Sequence, residues 1–273
     1  MEQVVTDLSI GIVGCGGRMG RTLLRQVTQT DGCTLAGGTE IDGHHAIGID
    51  LGLLAGLEEP LNLVASADRQ SLFETSDVII DFTVPDTTAL LAALAAETKT
   101  AHIVGTTGLD EDQMRVVTDA ARRTVVVQAP NFSIGVNLLA ALTRQVAQVL
   151  DPQFDIEILE IHHRHKVDAP SGTALALGHA AAEGRGVSLD NVADRARDGV
   201  TGARKVGNIG FASLRGGNVV GDHTVIFAAD DERIELTHRA GDRTIFARGA
   251  VHAALWTQGK APGYYTMTDV LGF

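Results

Sequence analysis

The sequence predicts an α/β protein, a Rossmann-type parallel-sheet domain joined to a smaller α+β domain with an open mixed sheet. Three observations carry this expectation. Short β-branched runs alternate with Ala/Leu-rich helical stretches through the first half, and a glycine cluster separates the first strand from its helix. Beyond Pro130, strand-like segments follow one another closely.

Taken in order, Leu8 to Val13 has the pattern of a buried strand. A glycine cluster follows, then a helix beginning near Met19. Thr34 to Thr39 and Asp77 to Phe82 are further strands, and Thr87 to Glu97 is helical. His102 to Val104 is a strand, Glu111 to Arg122 a helix and Thr124 to Gln128 a strand. The rhythm changes near Pro130. A helix from about Val136 to Leu150 leads to a strand at Asp155 to His163, a loop, and a helix at Thr173 to Glu183. Gly184 to Gly207, polar and rich in Gly and Arg, reads as an irregular excursion. Gly210 to Leu214, Thr224 to Ala228 and Arg233 to His238 are strands, with turn signals at Gly216–Gly217 and Asp230–Asp231. Ile245 to Trp256 is a helix, after which the chain can return to the first domain.

Composition narrows the function. A net charge of −12 disfavours nucleic acid, which needs a basic face, but a local basic cluster can still hold a small anion. Met1 to Ile10, with Glu2 and Asp7, lacks the basic-then-apolar layout of a secretory leader, and no apolar run approaches the roughly 18 residues of a membrane helix. Cys15 and Cys33 give neither a disulfide framework nor a zinc spacing, so two free thiols in a reducing cytoplasm are expected.

The glycine cluster, Gly14-Cys15-Gly16-Gly17-Arg18-Met19-Gly20, fits G-x-x-G-x-x-G better than the strict dinucleotide fingerprint. The physics is the same: a tight turn without side chains turns backbone N–H groups and a helix N-terminus toward a pyrophosphate. Alone, such a loop can be a structural turn. Here a strand precedes it, a helix follows, and Glu40 closes the second strand, where an acidic side chain can accept from an adenosine ribose. Ile41 cannot supply the guanidinium that a 2′-phosphate wants, although Arg18 offers partial compensation. The cofactor is expected to be NADH and/or NADPH, with NADH used at least as well.

His162-His163-Arg164-His165-Lys166 crowds five cationic or protonatable residues together, which suits an anionic ligand. Strand alternation predicts that His162 and Arg164 point one way, and His163 and His165 the other. Pro170-Ser171-Gly172-Thr173 then opens a helix whose first N–H groups can take a carboxylate. A solvated basic loop competes with this reading, and a helix cap at Ser171 or Thr173 is compatible with it. A metal site is disfavoured, because adjacent histidines on a strand diverge.

From His162 to Thr173 the chain reads HHRHKVDAPSGT, and this resembles the dihydrodipicolinate reductase family (4-hydroxy-tetrahydrodipicolinate reductases) of lysine and diaminopimelate biosynthesis. The resemblance spans nearly the whole chain. It includes GCGGRMGR at Gly14 to Arg21, DFT at Asp81 to Thr83, GTTG at Gly105 to Gly108 and APNFSIGVN at Ala129 to Asn137. GFASLRGGNVVGDHTVIF at Gly210 to Phe227 and ELTHRA at Glu235 to Ala240 extend it. It implies reduction of a cyclic imine dicarboxylate by hydride from a nicotinamide, with His162 and Lys166 as catalytic proton-handling residues. His163, Gly172 and Thr173 become substrate contacts. Gly14, Cys15, Gly16, Gly17, Arg18 and Met19 become the pyrophosphate loop, and Glu40 the ribose contact. Gly105, Thr106 and Thr107 are implied to lie beneath the nicotinamide, with Ala129, Pro130, Asn131 and Phe132 as a hinge segment also lining the cofactor. Residues 1–130 and 241–273 would form the dinucleotide domain and 131–240 the substrate and oligomerisation domain, closing about hinges near Pro130 and Ala240. A homotetramer built through the substrate-domain sheets is implied too. Ile41 departs from members that carry arginine there. Another two-domain dehydrogenase, a non-catalytic dinucleotide sensor and a metal hydrolase share parts of this pattern. None of them accounts for the glycine loop, the paired histidines with Lys166 and the PSGT segment together.

Overall fold

The computed structural model describes residues 7–273; the part of the leader expectation that rests on Met1 to Thr6 lies outside the described residues. The chain divides into two compact units. One takes the described residues up to Ser133 together with Thr244–Gly272, and the other takes Ile134–Arg243.

The first unit opens with β1 (Leu8–Val13), whose Ile10 and Ile12 are fully buried. Then α1 (Arg18–Thr28) buries Gly20, Leu23, Leu24 and Val27, the i, i+3, i+4, i+7 stripe of an amphipathic helix. After β2 (Cys33–Thr39) come two short helices that show no sustained period in the sequence, α2 (Leu51–Ala55) and α3 (Arg69–Thr75). Their N-caps are Asp50 and Asp68, each accepting from backbone N–H groups of the first turn. Next come β3 (Val78–Asp81), α4 (Pro85–Thr98), β4 (Ala101–Val104), α5 (Glu111–Ala120) and β5 (Val125–Gln128). Pro85 starts α4 where its missing N–H costs nothing, and an Asp110–Gln113 capping box starts α5.

The second unit begins with α6 (Ile134–Val149), followed by β6 (Asp155–His162), α7 (Gly172–Gly184), α8 (Leu189–Val192) and β7 (Ala193–Asp194). It continues through β8 (Ile209–Arg215), β9 (Asp222–Ala228) and β10 (Arg233–Arg239). Its five-stranded sheet runs β10-β9-β6-β8-β7 and is mixed, with β6 parallel to β8 and antiparallel to β9. Because β6 separates β8 from β9, the Gly216–Gly217 turn does not close a hairpin. The Asp230–Asp231 turn does, between β9 and β10. Ile156, Ile158, Ile209, Val225 and Phe227 on one face of the sheet share a core with Leu139 and Ala147 of α6 and Leu177 and Ala181 of α7.

The expected irregular excursion holds α8 and β7, which adds to the sheet through Ala193 and Asp194 on β8. Arg197 and Arg204 pin this stretch to β6. The first pairs with Glu157 and Asp194, the second with Asp155 and Glu157.

The chain then returns to the first unit as α9 (Thr244–Trp256), β11 (Gly263–Tyr265) and α10 (Met267–Leu271). β11 pairs in parallel with β5, completing an all-parallel six-stranded sheet ordered β11-β5-β4-β3-β1-β2. Among the described residues no helix is long and apolar enough to cross a membrane.

Candidate active site

In the first unit the sequence-selected residues gather at the carboxyl ends of the parallel strands, next to the β3–β1 crevice, where open α/β sheets bind ligands. Gly14 turns the chain at φ +71, and a Cβ there would stand 3.3 Å from the Thr83 side chain. Its N–H bonds the Thr39 carbonyl at 2.8 Å, and its carbonyl accepts from Gly17 at 3.1 Å. Gly20 sits against the Gly14 carbonyl so closely that any Cβ would collide with it, which fixes the approach of α1 to β1. Gly17 is the N-cap of α1 and has no side chain with which to cap it. The first turn, Arg18 to Arg21, carries no carboxylate. The positive end of the helix is therefore left for an external anion, so the loop fits a pyrophosphate.

Glu40 takes the Gly16 N–H at 2.8 Å on one oxygen and its neighbour Ile41's N–H at 3.3 Å on the other. It thus braces the loop at the point where the ribose contact is expected. Ile41 and Arg18 are exposed, while Cys15 is buried and its thiol is pushed up to about 12, first by burial and then by Glu40.

Gly105, Thr106 and Thr107 follow β4, with Gly105 packed on the Phe82 ring. The buried Thr106 hydroxyl lies 2.8 Å from that of Thr88, which donates to Asp81 at 2.7 Å. Asp81 also accepts from the Thr83 backbone and hydroxyl at 2.8 and 2.6 Å, and His102 lies 3.4 Å away. Burial would raise the Asp81 carboxyl, but His102 and these hydroxyls outweigh it and hold it below its usual range. After β5, Ala129 is buried, Pro130 is exposed, Asn131 accepts from Ser133 at 2.8 Å, and Phe132 packs its ring 5.6 Å from Phe82.

In the second unit β6 stops at His162, so the alternation expected through His165 does not continue. Arg164 bonds the Gly217 carbonyl at 3.3 Å, and the Lys166 N–H closes a turn on the His163 carbonyl at 3.1 Å. The chain leaves the sheet here, taking its partners from the turn and from the β8–β9 connection. Ser171 is the N-cap of α7, accepting from Ala174 at 3.1 Å. Among the described residues, leaving aside its chain neighbours and the helix's own backbone, nothing lies within 4 Å of a Cβ built on Gly172, so α7 starts uncrowded at that position. Lys166 pairs with Asp168 at 3.0 Å, and this contact is the first cause holding the Asp168 carboxyl low. His163 is half-buried, and its imidazole is pushed down by desolvation and then by Arg243, His162, His165 and Lys166.

Sequence reasoning passed over the partners of His162. Its Nδ1 lies 2.6 Å from a Glu160 oxygen. Glu160, 1% exposed, also receives a fork from Arg215 at 2.8 and 3.0 Å and the Ser171 N–H at 3.2 Å. His223, buried, lies 3.1 Å from the Ser171 hydroxyl and meets His162 edge-on, with ring centroids 5.1 Å apart. The signal for Glu160 was present, since residues two apart on a strand share a face. Arg215 and His223 needed the register: they stand opposite His162 on β8 and opposite Glu160 on β9.

Comparison with known proteins adds to this geometry. Residues 8–132 match the family model described as dihydrodipicolinate reductase, N-terminus, and residues 135–271 match dihydrodipicolinate reductase, C-terminus. The 4-hydroxy-tetrahydrodipicolinate reductase of Parvibaculum lavamentivorans is 58% identical over 269 residues, covering 98% of this chain and 99% of its own. That of Afipia carboxidovorans is 56% identical over 268 residues, with 98% of each covered. The solved structure of a dipicolinate-bound dihydrodipicolinate reductase from Paenisporosarcina sp. TG-14 is similar in fold. Its TM-score is 0.75 at 23% identity, over 95% of this chain and 97% of that one.

Proposed function

The chain belongs to the dihydrodipicolinate reductase family, and on that premise we propose how its residues reduce a (hydroxy)dihydrodipicolinate to tetrahydrodipicolinate. It is an oxidoreductase of lysine and diaminopimelate biosynthesis. The first unit, which the sequence bounds at 1–130 with 241–273 and the fold at Ser133 and Thr244, holds a reduced nicotinamide dinucleotide, which supplies the hydride when bound. The Gly14 to Met19 loop and the open end of α1 take the pyrophosphate, and Glu40 takes the ribose. Gly105 to Thr107 lie beneath the nicotinamide, and Ala129 to Phe132 form a hinge segment that also lines the cofactor. With Ile41 exposed and unable to hold a 2′-phosphate, NADH serves at least as well as NADPH.

The second unit, assigned as 131–240, holds the dicarboxylate. Gly172 and Thr173 at the start of α7 take one carboxylate, and His163 contacts the substrate. Lys166 and His162 supply the proton that matches the hydride, and charge complementarity orients the ring before transfer.

The observation that carries this reading is the linked set at one end of the second sheet. His162, Glu160, Arg215, Asp168 and Lys166 form one chain of contacts beside the N-terminus of α7.

The face of that sheet away from α6 and α7 presents Leu159, Ile161, Ala212, Leu214 and Ile226, and Leu214 is 49% exposed. Covering it with copies of itself suits a homotetramer. In the cytoplasm the unpaired Cys15 and Cys33 would stay reduced.

The test is NADH and NADPH oxidation with freshly generated hydroxytetrahydrodipicolinate, repeated on Lys166→Ala. Turnover by the native protein and a loss of about 10²-fold in the variant are expected, with dinucleotide binding intact. A folded, dinucleotide-binding protein that oxidises neither cofactor with this substrate refutes the reading.

A further inference from the structure

We infer that Glu160 is the positioning residue for His162, a single buried carboxylate that fixes the imidazole's tautomer and ties the ring to the start of α7. The inference rests on the reading of His162 as a proton-handling group.

Two residues apart on β6, Glu160 and His162 face the same way. The sheet register then sets Arg215 and His223 beside them, so four side chains from three strands meet. Apart from the imidazole, Glu160 is met by donors. Arg215 forks onto both oxygens, the Ser171 N–H takes one, and His162 Nδ1 approaches the other at 2.6 Å. Burial works against the charged form of Glu160. The Arg215 fork and then His162 outweigh it, holding the carboxyl below its ordinary range.

An ionised carboxylate is acceptor-only, so Nδ1 must carry the hydrogen. Proton exchange is then left to Nε2. The backbone at Gly221 lies beside that nitrogen, where a Cβ would stand 2.8 Å from it; any side chain at 221 would crowd the nitrogen that exchanges. Ser171 belongs to the same arrangement, because its N–H binds Glu160 while its hydroxyl caps α7. Ring orientation and the carboxylate-binding helix end therefore share one anchor. Arg215 carries the link further: it donates to the Asp168 carbonyl at 2.6 Å, and the Asp168 carboxylate pairs with Lys166.

The experiment is a double-mutant cycle on the NADH-loaded protein, using Glu160→Gln, His162→Asn and both together. Glu160→Gln keeps the shape and removes the charge. It should lower kcat/KM by about 10- to 100-fold while leaving the NADH Kd unchanged. His162→Asn should lose at least as much, and adding Glu160→Gln to it should cost nothing further. Equal losses on both backgrounds, or a Glu160→Gln variant at the native rate, would overturn the inference. Native turnover in His162→Asn would instead sink the role of His162, and with it any need to position the ring.

A measurement on the unsubstituted protein guards against a variant that fails to fold. In 15N-histidine spectra at alkaline pH, the His162 signals (assigned by their loss in His162→Asn) should show a protonated Nδ1 and a pyridine-like Nε2. A proton on Nε2 overturns the inference.

Discussion

At the scale of single residues, His223 sets how the second unit responds to acid. Burial pushes its imidazole down from 6.5 to about 4, His162 adds repulsion, and Glu160 pulls weakly the other way. The unfolded chain therefore binds more protons than the folded one between those limits. Stability is full above about 6.5 and falls as the pH drops toward about 4, by roughly 3 kcal/mol if the whole shift is realised. Glu160 and Asp81, held below their usual carboxylate range, act in the same sense at lower pH, where their folded forms finally take up protons. Urea midpoints measured from pH 7 to pH 4 should slope steeply for the native protein and less for His223→Gln. Equal slopes would mean that the buried imidazole contributes nothing.

Among the elements, α9 shows how a glycine can be fixed by packing rather than by backbone conformation. Gly249 lies directly on the Phe132 carbonyl, leaving no room for a Cβ. Replacing a mid-helix glycine with alanine would ordinarily stabilise by about 1 kcal/mol. Here the obstacle is backbone, and overpacking costs about 1–3 kcal/mol, so Gly249→Ala should destabilise. Chemical denaturation followed by tryptophan fluorescence, with Trp256 at the end of the same helix, would report it; a raised midpoint would show that the Phe132 segment yields. The same contrast explains which elements the sequence revealed. β3 and β4 are continuous buried runs, β1 is one broken only at Ser9, and α1 carries a clear stripe, so local pattern was sufficient for them. α2 and α3, at five and seven residues, are too short for a period, although their Asp caps stood in the sequence. β7 exists only through pairing with β8, a non-local cause that no local window contains. The strand alternation carried past His162 failed for a related reason, since a turn and a bond to Gly217 decide those positions.

For the whole molecule, the legible part of the site was the part that chemistry concentrates in short segments: the glycine loop, the histidine run and the PSGT cap. The illegible part was what register assembles, with Arg215 and His223 lying more than fifty residues from the atoms they serve. Assembly belongs to this scale as well. If the proposed homotetramer forms through the open face of the second sheet, Leu214→Asp should yield smaller species in sedimentation velocity while the protein keeps its NADH affinity. An unchanged sedimentation coefficient would refute assembly through that face.

The returning segment has a consequence for how the protein is made. β5 needs β11 as its neighbour, yet all of Ile134–Arg243 is translated between them. On the ribosome the second unit is continuous and can fold as it emerges. The first waits with the β5 edge unpaired until Gly263–Tyr265 leaves the exit tunnel. During that interval the nascent chain carries an unpaired strand edge, the kind that invites non-native pairing.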